Sequence, residues 1–169
     1  MSNKLGLNAA QRVALIKNQA SALLWHGKIE TTESRAKEVA AYVAKIITLA
    51  VNTYTDTVET TIAVADSKGK ETSKVLVKDG VKKLNARRKI MTMVNDLQEV
   101  KGFKESKPDF KRRTKAIKSP LIEKIFDEYA PKFAARKEEK GQGGGYTRIY
   151  KLGQRRGDAA EIVILEFVD

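Results

Sequence analysis

The feature that most constrains the fold is a stretch of apolar residues that recurs with the period of an α-helix, at offsets 0, 3, 4, 7, 10, 11 and 14. Its members are Ala36, Val39, Ala40, Val43, Ile46, Ile47 and Ala50. This spacing places them on one stripe of a helix that begins after Thr32, a candidate N-cap, and ends at about Val51. Because such a stripe is stable only when covered, the rest of the chain must pack against it.

Two elements are predicted before this helix. Apolar residues at helical spacing predict a first helix from Asn8 to His26, with Asn8 as its N-cap. Gly27 can end that helix, and residues 28–32 have the composition of a short β-strand. The chain therefore reaches the central helix through a helix and a strand.

Helical and β patterns alternate in the remainder of the chain. Helical spacing predicts a third helix over about residues 82–100. Ser119-Pro120 has the residues of a helix start, and the helix that follows is predicted to end just before Pro131. Alternating apolar and polar residues predict a β-hairpin arm over residues 54–79, with its turn at Asp66-Ser67-Lys68-Gly69.

The last part of the chain is predicted to be a polar, glycine-rich loop over residues 136–145, followed by strands over 146–152 and 162–168. The order α-β-α-α-α-β-β predicts a two-layer α/β domain of the α+β kind, in which a mostly antiparallel sheet carries the helices on one face. The length of 169 residues is typical of one domain, so residues 1–169 are expected to form a single unit.

The composition excludes several classes of site. The chain has no cysteine and one histidine, His26, so disulfides, thiolate metal sites and sites of two or three histidines are impossible. A Ser-His-Asp triad would need His26, which is more commonly a helix-end residue. The longest apolar runs are far shorter than the ~18 residues of a membrane span, and no secretory signal is recognisable. We expect no catalytic residue, metal, cofactor or membrane partner.

The net charge of +12 is unevenly distributed. Residues 81–119 contain 13 basic and 4 acidic residues, a net charge of +9. A solvated helix face is one interpretation of such a segment, and a phosphate-binding surface is the other. The shortage of acidic residues favours the phosphate-binding surface. The glycines of the 136–145 loop do not form a nucleotide-binding fingerprint, because a strand and not a helix follows them.

Two motifs carry a resemblance to a known family. Gly27-Lys28-Ile29-Glu30-Thr31-Thr32, with Arg35-Ala36-Lys37-Glu38 after it, resembles the central signature of the bacterial large-subunit ribosomal protein seventeen family. Gly144-Gly145-Tyr146-Thr147-Arg148-Ile149, with Arg155-Arg156-Gly157-Asp158-Ala159 after it, resembles the C-terminal signature of that family. The resemblance covers about residues 4–51, 84–97 and 120–168. The segments 53–83 and 99–118 are longer than the corresponding segments of compact family members, so both have the character of insertions. The first is a hairpin extension and the second is a basic segment.

The resemblance implies a structural constituent of the large ribosomal subunit in the cytoplasm, bound to large-subunit (23S) ribosomal RNA and to neighbouring ribosomal proteins, with no small-molecule substrate. RNA contacts made mostly to phosphate and ribose would read shape more than sequence. The candidate contacts are Arg12, Lys17, Asn18, Arg35, Lys37, Arg87, Arg88, Lys89, Arg112, Arg113, Gly144, Gly145, Tyr146, Arg148, Lys151, Arg155 and Arg156. The hairpin arm is expected to pack against neighbouring RNA or protein.

Two alternatives fit the same charge. A basic architectural DNA-binding protein would also need a concentrated positive segment, because phosphate contacts do not distinguish DNA from RNA. A small phosphate-handling enzyme could use the glycine-rich loop, but no base, nucleophile or metal cluster accompanies that loop in the sequence.

Overall fold

The computed structural model describes residues 4–65, 71–115, 117–141 and 143–168. It confirms an α+β fold with antiparallel strands. The elements, in chain order, are α1 (Ala9–His26), β1 (Lys28–Thr32), α2 (Glu33–Val51), β2 (Thr57–Ala65), β3 (Glu71–Asp79), α3 (Val81–Met93), α4 (Lys107–Thr114), α5 (Pro120–Lys124), a π-helical segment (Ile125–Tyr129), α6 (Ala130–Lys140), β4 (Thr147–Gln154) and β5 (Glu161–Phe167).

A three-stranded antiparallel sheet has the order β1-β5-β4, so β5 is its central strand. Lys28 pairs with Glu166 on one side of β5, and Arg148 pairs with Glu166 on the other. Alternation along β5 buries Val163 and Leu165 in the same core as the apolar stripe of α2. The stripe is therefore covered by the sheet and by the other helices, as its spacing requires.

The ends of α1 and α2 show how far local signals determine the structure. The Asn8 side chain accepts a hydrogen bond from the Gln11 backbone N–H at 2.9 Å, as expected of an N-cap. Thr32 precedes α2 in extended geometry, but its side chain makes no capping hydrogen bond. Glu33 supplies the negative charge at that end instead.

The prediction that a helix ends just before Pro131 is wrong. The chain stays helical from Pro120 to Lys140, because α5, the π-helical segment and α6 follow one another without a break. The Ala130 N–H bonds to the Ile125 carbonyl, and this wider turn comes directly before Pro131, which lies in the first turn of α6. A proline is tolerated where a first-turn N–H has no helical partner. The glycine-rich loop therefore begins at Gly141, not at residue 136.

The third helix is shorter than its periodicity predicts, because it ends at Met93. Val94 is extended, and the Asn95 backbone N–H donates to the Ser21 hydroxyl at 2.8 Å, which ties the chain to α1. Val94 is buried and Leu97 packs against the core, so both complete the apolar face without being helical.

Strands β2 and β3 form a separate antiparallel pair, from Thr57 opposite Asp79 to Ala65 opposite Glu71. The predicted turn at Asp66-Ser67-Lys68-Gly69 lies outside the described residues. Asp56 joins the base of this pair to α3: its carboxylate Oδ2 accepts the backbone N–H groups of Lys82 at 2.8 Å and Lys83 at 3.2 Å. It thus caps α3 from a distant position in the chain.

Candidate nucleic-acid interface

Arg87 and Arg88 are adjacent in α3 but lie in different environments. The Arg87 side chain is 16% exposed, and its Nε donates to Asp79 Oδ2 at 2.7 Å while Nη1 donates to Glu123 Oε1 at 2.6 Å. Burial disfavours its charge, but the bonds and charges of Glu123 and Asp79 outweigh burial and hold the pKa of Arg87 above its usual value. Arg88 and Lys89 are exposed. Arg87 therefore joins α3 to β3 and α5.

The predicted contacts of the 99–118 segment are also partly paired. Arg113, in α4, donates to Glu99 and, through Nε at 3.2 Å, to Glu105. Arg112 is 81% exposed and lies 3.4 Å from Asp109. The pairing leaves Arg112 as the more accessible cation, and it holds Arg113 against its own loop.

On α1, the three candidate residues are spread around the helix and do not share one face, because Arg12, Lys17 and Asn18 are separated by about 140° and 100° of helical rotation. Arg12 and Lys17 are half-buried and Asn18 is exposed. The Asn18 side-chain oxygen accepts a hydrogen bond from the Asn95 side chain. Asn18 is thus connected to the segment that follows α3.

A second group joins α2 to the β4–β5 turn. Arg35 and Arg155 line one cavity of about 360 Å³, together with the Glu30 carboxylate. Arg155 is bidentate to Asp158, with Nε at 2.9 Å and Nη2 at 2.6 Å from its two oxygens. That bond lowers the pKa of Asp158 to about 2. Arg156 is exposed beside it.

Glu33 forms ion pairs with two of the predicted contact residues, Lys37 and Lys151. Lys37 Nζ lies 2.9 Å from its carboxylate and Lys151 Nζ lies 3.7 Å away. The hydrogen bond from Lys37 and then the charge of Lys151 lower the pKa of Glu33. This cluster joins the start of α2 to β4, and it balances part of the positive charge there.

The glycine-rich loop lines what we call the cationic cavity, of about 340 Å³. Gly144, Gly145 and Arg148 are predicted contacts that meet there, with Arg136 and Lys140. No carboxylate lines this cavity among the residues that the structure describes. The C-terminal motif therefore places three predicted contacts at one site of positive charge.

Arg136 holds the loop in place. Its Nη2 donates to the Gly144 carbonyl and, at 3.2 Å, to the Gly145 carbonyl. Its guanidinium lies 5.1 Å from the centre of the Phe133 ring and 5.8 Å from that of Tyr146. Gly144 and Gly145 have φ angles of +93° and +58°, which residues with a Cβ rarely adopt.

An apolar groove of about 500 Å³ adjoins this loop. Tyr146, a predicted contact, is buried and forms part of the lining, and its hydroxyl lies 3.2 Å from Thr48 Oγ1. Leu49 and Met93 line the groove, and Lys45 and Lys89 add two cations. Gly144 lines both the groove and the cationic cavity.

Three cations of this region, Lys45, Arg136 and Lys140, are not identified by sequence reasoning. Lys45 lies on the exposed side of α2, where a lone lysine carries no signal. Arg136 and Lys140 fall within the predicted loop, because Pro131 indicates the end of a helix. Because the helix continues to Lys140 and ends at Gly141, Arg136 and Lys140 are one helical turn apart at the end of α6. Both side chains therefore lie next to the glycines of the loop.

Two other kinds of site are absent from the described part of the chain. Its residues hold no group of three or more His, Asp or Glu side chains that could bind a metal ion. None of its helices combines the length and the hydropathy of a membrane-spanning segment.

Comparison with known proteins places these motifs in context. The family model for ribosomal protein L17 matches residues 15–168. Large ribosomal subunit protein bL17 of Lachnospira eligens is 39% identical over 184 residues, covering 98% of this chain and 97% of that protein. The bL17 proteins of Acetivibrio thermocellus and Clostridium botulinum are 39% identical over 189 residues and 36% identical over 165 residues. They cover 98% of this chain, and 97% and 96% of their own lengths.

Proposed function

Because this chain belongs to the ribosomal protein L17 family, we propose that it binds large-subunit ribosomal RNA as a structural constituent of the large ribosomal subunit. It acts there without catalysis, in the cytoplasm, and supports subunit assembly and translation. The contacts are made to phosphate and ribose, and they read the shape of the folded RNA.

The observation that carries the proposal is the cationic cavity. Gly144, Gly145 and Arg148 come from the family's C-terminal motif, and Lys140 joins them from α6. A cluster of cations with no carboxylate lining among the described residues attracts an anion, and phosphate is the anion of RNA. An internal structural cluster would contain acids, as the Arg87 cluster does.

The exposed cations extend this surface. We include the accessible cations among the predicted contacts as direct phosphate ligands, and we assign Arg87 and Tyr146 to support of the surface from within. The direct ligands are Arg12, Lys17, Arg35, Lys37, Arg88, Lys89, Arg112, Arg148, Lys151, Arg155 and Arg156. We assign Arg113, which pairs with Glu99 and Glu105, to positioning its own loop. Asn18 contributes a polar contact.

Residues 53–83 and 99–118 are proposed as additions to the family core within the single 1–169 domain. Val58, Val75 and Val77 are 53%, 58% and 63% exposed on the β2–β3 pair. A two-stranded pair is only marginally stable alone, and burying its exposed valines against a neighbour would stabilise it. The ribbon is therefore proposed to pack against neighbouring RNA or ribosomal protein.

Sedimentation tests the function directly. A tagged copy expressed in a bacterium should migrate with large subunits through a sucrose gradient. At high salt it should dissociate from the subunits, as other proteins that bind ribosomal RNA through phosphate contacts do. Migration with nucleoid DNA instead would support the architectural DNA-binding alternative and would contradict the proposal.

A further inference from the structure

We propose that the loop Gly143–Gly145 binds one unstacked nucleotide of the RNA, with its phosphate in the cationic cavity and its base in the apolar groove. This inference rests on the proposed function and adds a defined site to it. RNA is commonly recognised through bases that leave the stack and lie against protein side chains.

The position of Gly144 is the first argument. It lines both the cationic cavity and the apolar groove, so the two sites meet at a single backbone residue. A nucleotide has the same arrangement, since its anionic and its flat apolar parts are joined by one ribose. A site that bound phosphate alone would need no apolar groove next to the cationic cavity.

The loop itself is set for a phosphate. Arg136 draws the carbonyl groups of Gly144 and Gly145 toward its guanidinium. In a trans peptide the next N–H points the opposite way, so the Gly145 N–H is directed away from Arg136. It has no hydrogen-bond acceptor within the described part of the chain, and it is thus available to a phosphate oxygen. Arg136 is a positioning residue in this scheme.

The groove fits a base better than an apolar peptide side chain. Leu49, Met93 and Tyr146 give it an apolar lining, while Lys45 and Lys89 also line it and Lys140 and Arg148 line the adjoining cavity. A peptide side chain would leave these four cations without a counter-charge. A nucleotide fills the apolar space and brings phosphates to the cations on both sides.

The test uses the full chain and an in vitro transcript of large-subunit ribosomal RNA. Thr48→Trp fills the groove from an exposed position of α2, and Lys140→Ala with Arg148→Ala removes the phosphate ligands. Ala41→Trp is the matched control, because Ala41 is exposed on α2 two turns before Thr48 and does not line the groove. Lys45→Ala with Lys89→Ala gives a second test of the groove without a bulky substitution. Circular dichroism verifies that each variant is folded.

We expect the groove variants and the phosphate variant each to weaken RNA binding about tenfold, and Ala41→Trp to bind as the wild type does. Chemical probing of the complexes should show the same nucleotide, or its immediate neighbour, becoming reactive in Thr48→Trp and in the phosphate variant. Free mononucleotides at millimolar concentration should not raise the melting temperature of the protein, because a single nucleotide lacks the flanking phosphates.

Three outcomes would overturn the inference. Folded variants that bind RNA like the wild type would remove the site while leaving the proposed function intact. Exposure of nucleotides far apart in the RNA would show two separate contacts. Stabilisation by free mononucleotides would assign the site to a small ligand. Failure of the wild-type protein to bind the transcript is a different result, since it would contradict the proposed function itself.

Discussion

At the scale of single residues, neighbours in sequence lie in different environments. Arg87 and Arg88 belong to the same basic run, yet Arg87 is enclosed by Asp79, Glu123 and the ring of Phe126, 5.1 Å from its guanidinium. Arg88 is exposed. Composition cannot separate them, because the difference depends on which acids the fold brings to α3.

This difference predicts separable mutant effects. Arg87→Ala leaves two half-buried carboxylates without their partner, so it should lower the free energy of unfolding by about 1–3 kcal/mol. Arg88→Ala should leave stability unchanged and weaken RNA binding. Urea unfolding and filter binding of both variants measure the two effects. An Arg87→Ala protein as stable as the wild type would contradict the structural role.

Gly80 is required by a close approach. A Cβ at this position would stand 2.4 Å from the Asp56 carboxyl carbon, and that carboxylate caps α3. Gly80→Ala should therefore displace the cap and lower the free energy of unfolding by about 1–2 kcal/mol. Gly157→Ala is the control, because a Cβ added there would meet no atom within 4 Å. Equal melting temperatures for the two variants would disprove this explanation.

The Arg155–Asp158 pair predicts a pH dependence. Because the pKa of Asp158 is lowered to about 2, its contribution to stability is complete above pH ~4, the ordinary range of an aspartate, and is lost as pH falls toward 2. NMR titration of the Asp158 carboxyl carbon should give a midpoint near 2. In Arg155→Ala the midpoint should rise toward the ordinary aspartate value and stay below it, because the Ala160 backbone N–H still donates to the Asp158 carboxylate. An unchanged midpoint would exclude Arg155 as the main cause.

At the scale of elements, sequence signals held where local and tertiary requirements agree. Asn8 caps α1 through its own side chain, and the stripe of α2 is buried as its spacing requires. Pro131 led to a wrong helix end because a widened helical turn, which no local pattern reveals, precedes it.

Tyr129 lies in that widened turn and donates its hydroxyl to the Leu24 carbonyl at 3.0 Å. Burial, together with the charge of Glu128, raises the pKa of Tyr129 to about 12. The turn is thus held by tertiary contacts.

The β2–β3 pair should be separable from the body of the protein. Its contact with the helices is concentrated where β3 meets α3. Removing residues 60–76 and joining Glu59 to Val77, which are partners across the pair, through Asn-Gly keeps this base. The melting temperature should change by less than about 3 °C, while incorporation into large subunits should fall. Normal incorporation would contradict a docking role for the arm.

At the scale of the whole molecule, charge must be counted after folding. In the segment 81–119, which has a net charge of +9, Lys83 and Arg87 pair with Asp79, an acid outside the segment. Arg113 pairs with Glu99 and Glu105, which belong to the segment itself. The sequence located the basic segment and the glycine motif, because both are contiguous. It could not locate the cationic cavity, since Arg136 and Lys140 of α6 meet Arg148 of β4 only when the chain is folded.

The salt dependence of binding should reflect this count. For the wild type, log K for RNA should fall linearly with log salt concentration. Arg88→Ala with Lys89→Ala removes exposed cations and should reduce the slope by about 1–2. Lys83→Ala removes a cation that lies 3.3 Å from Asp79 and should leave the slope unchanged. Equal slopes for all three proteins would remove α3 from the interface.

The pairing of β1 with β5 also determines when the sheet can form during translation. Lys28 pairs with Glu166, so β1 leaves the ribosome long before its partner exists. At 5–20 residues per second, the roughly 140 residues from Lys28 to Glu166 take about 7 to 28 seconds to make. During that interval α1 and α2 are complete while the sheet that covers α2 is not. The emerging chain is therefore a basic, half-covered helical pair, and its core closes only after its C-terminal motif has been translated.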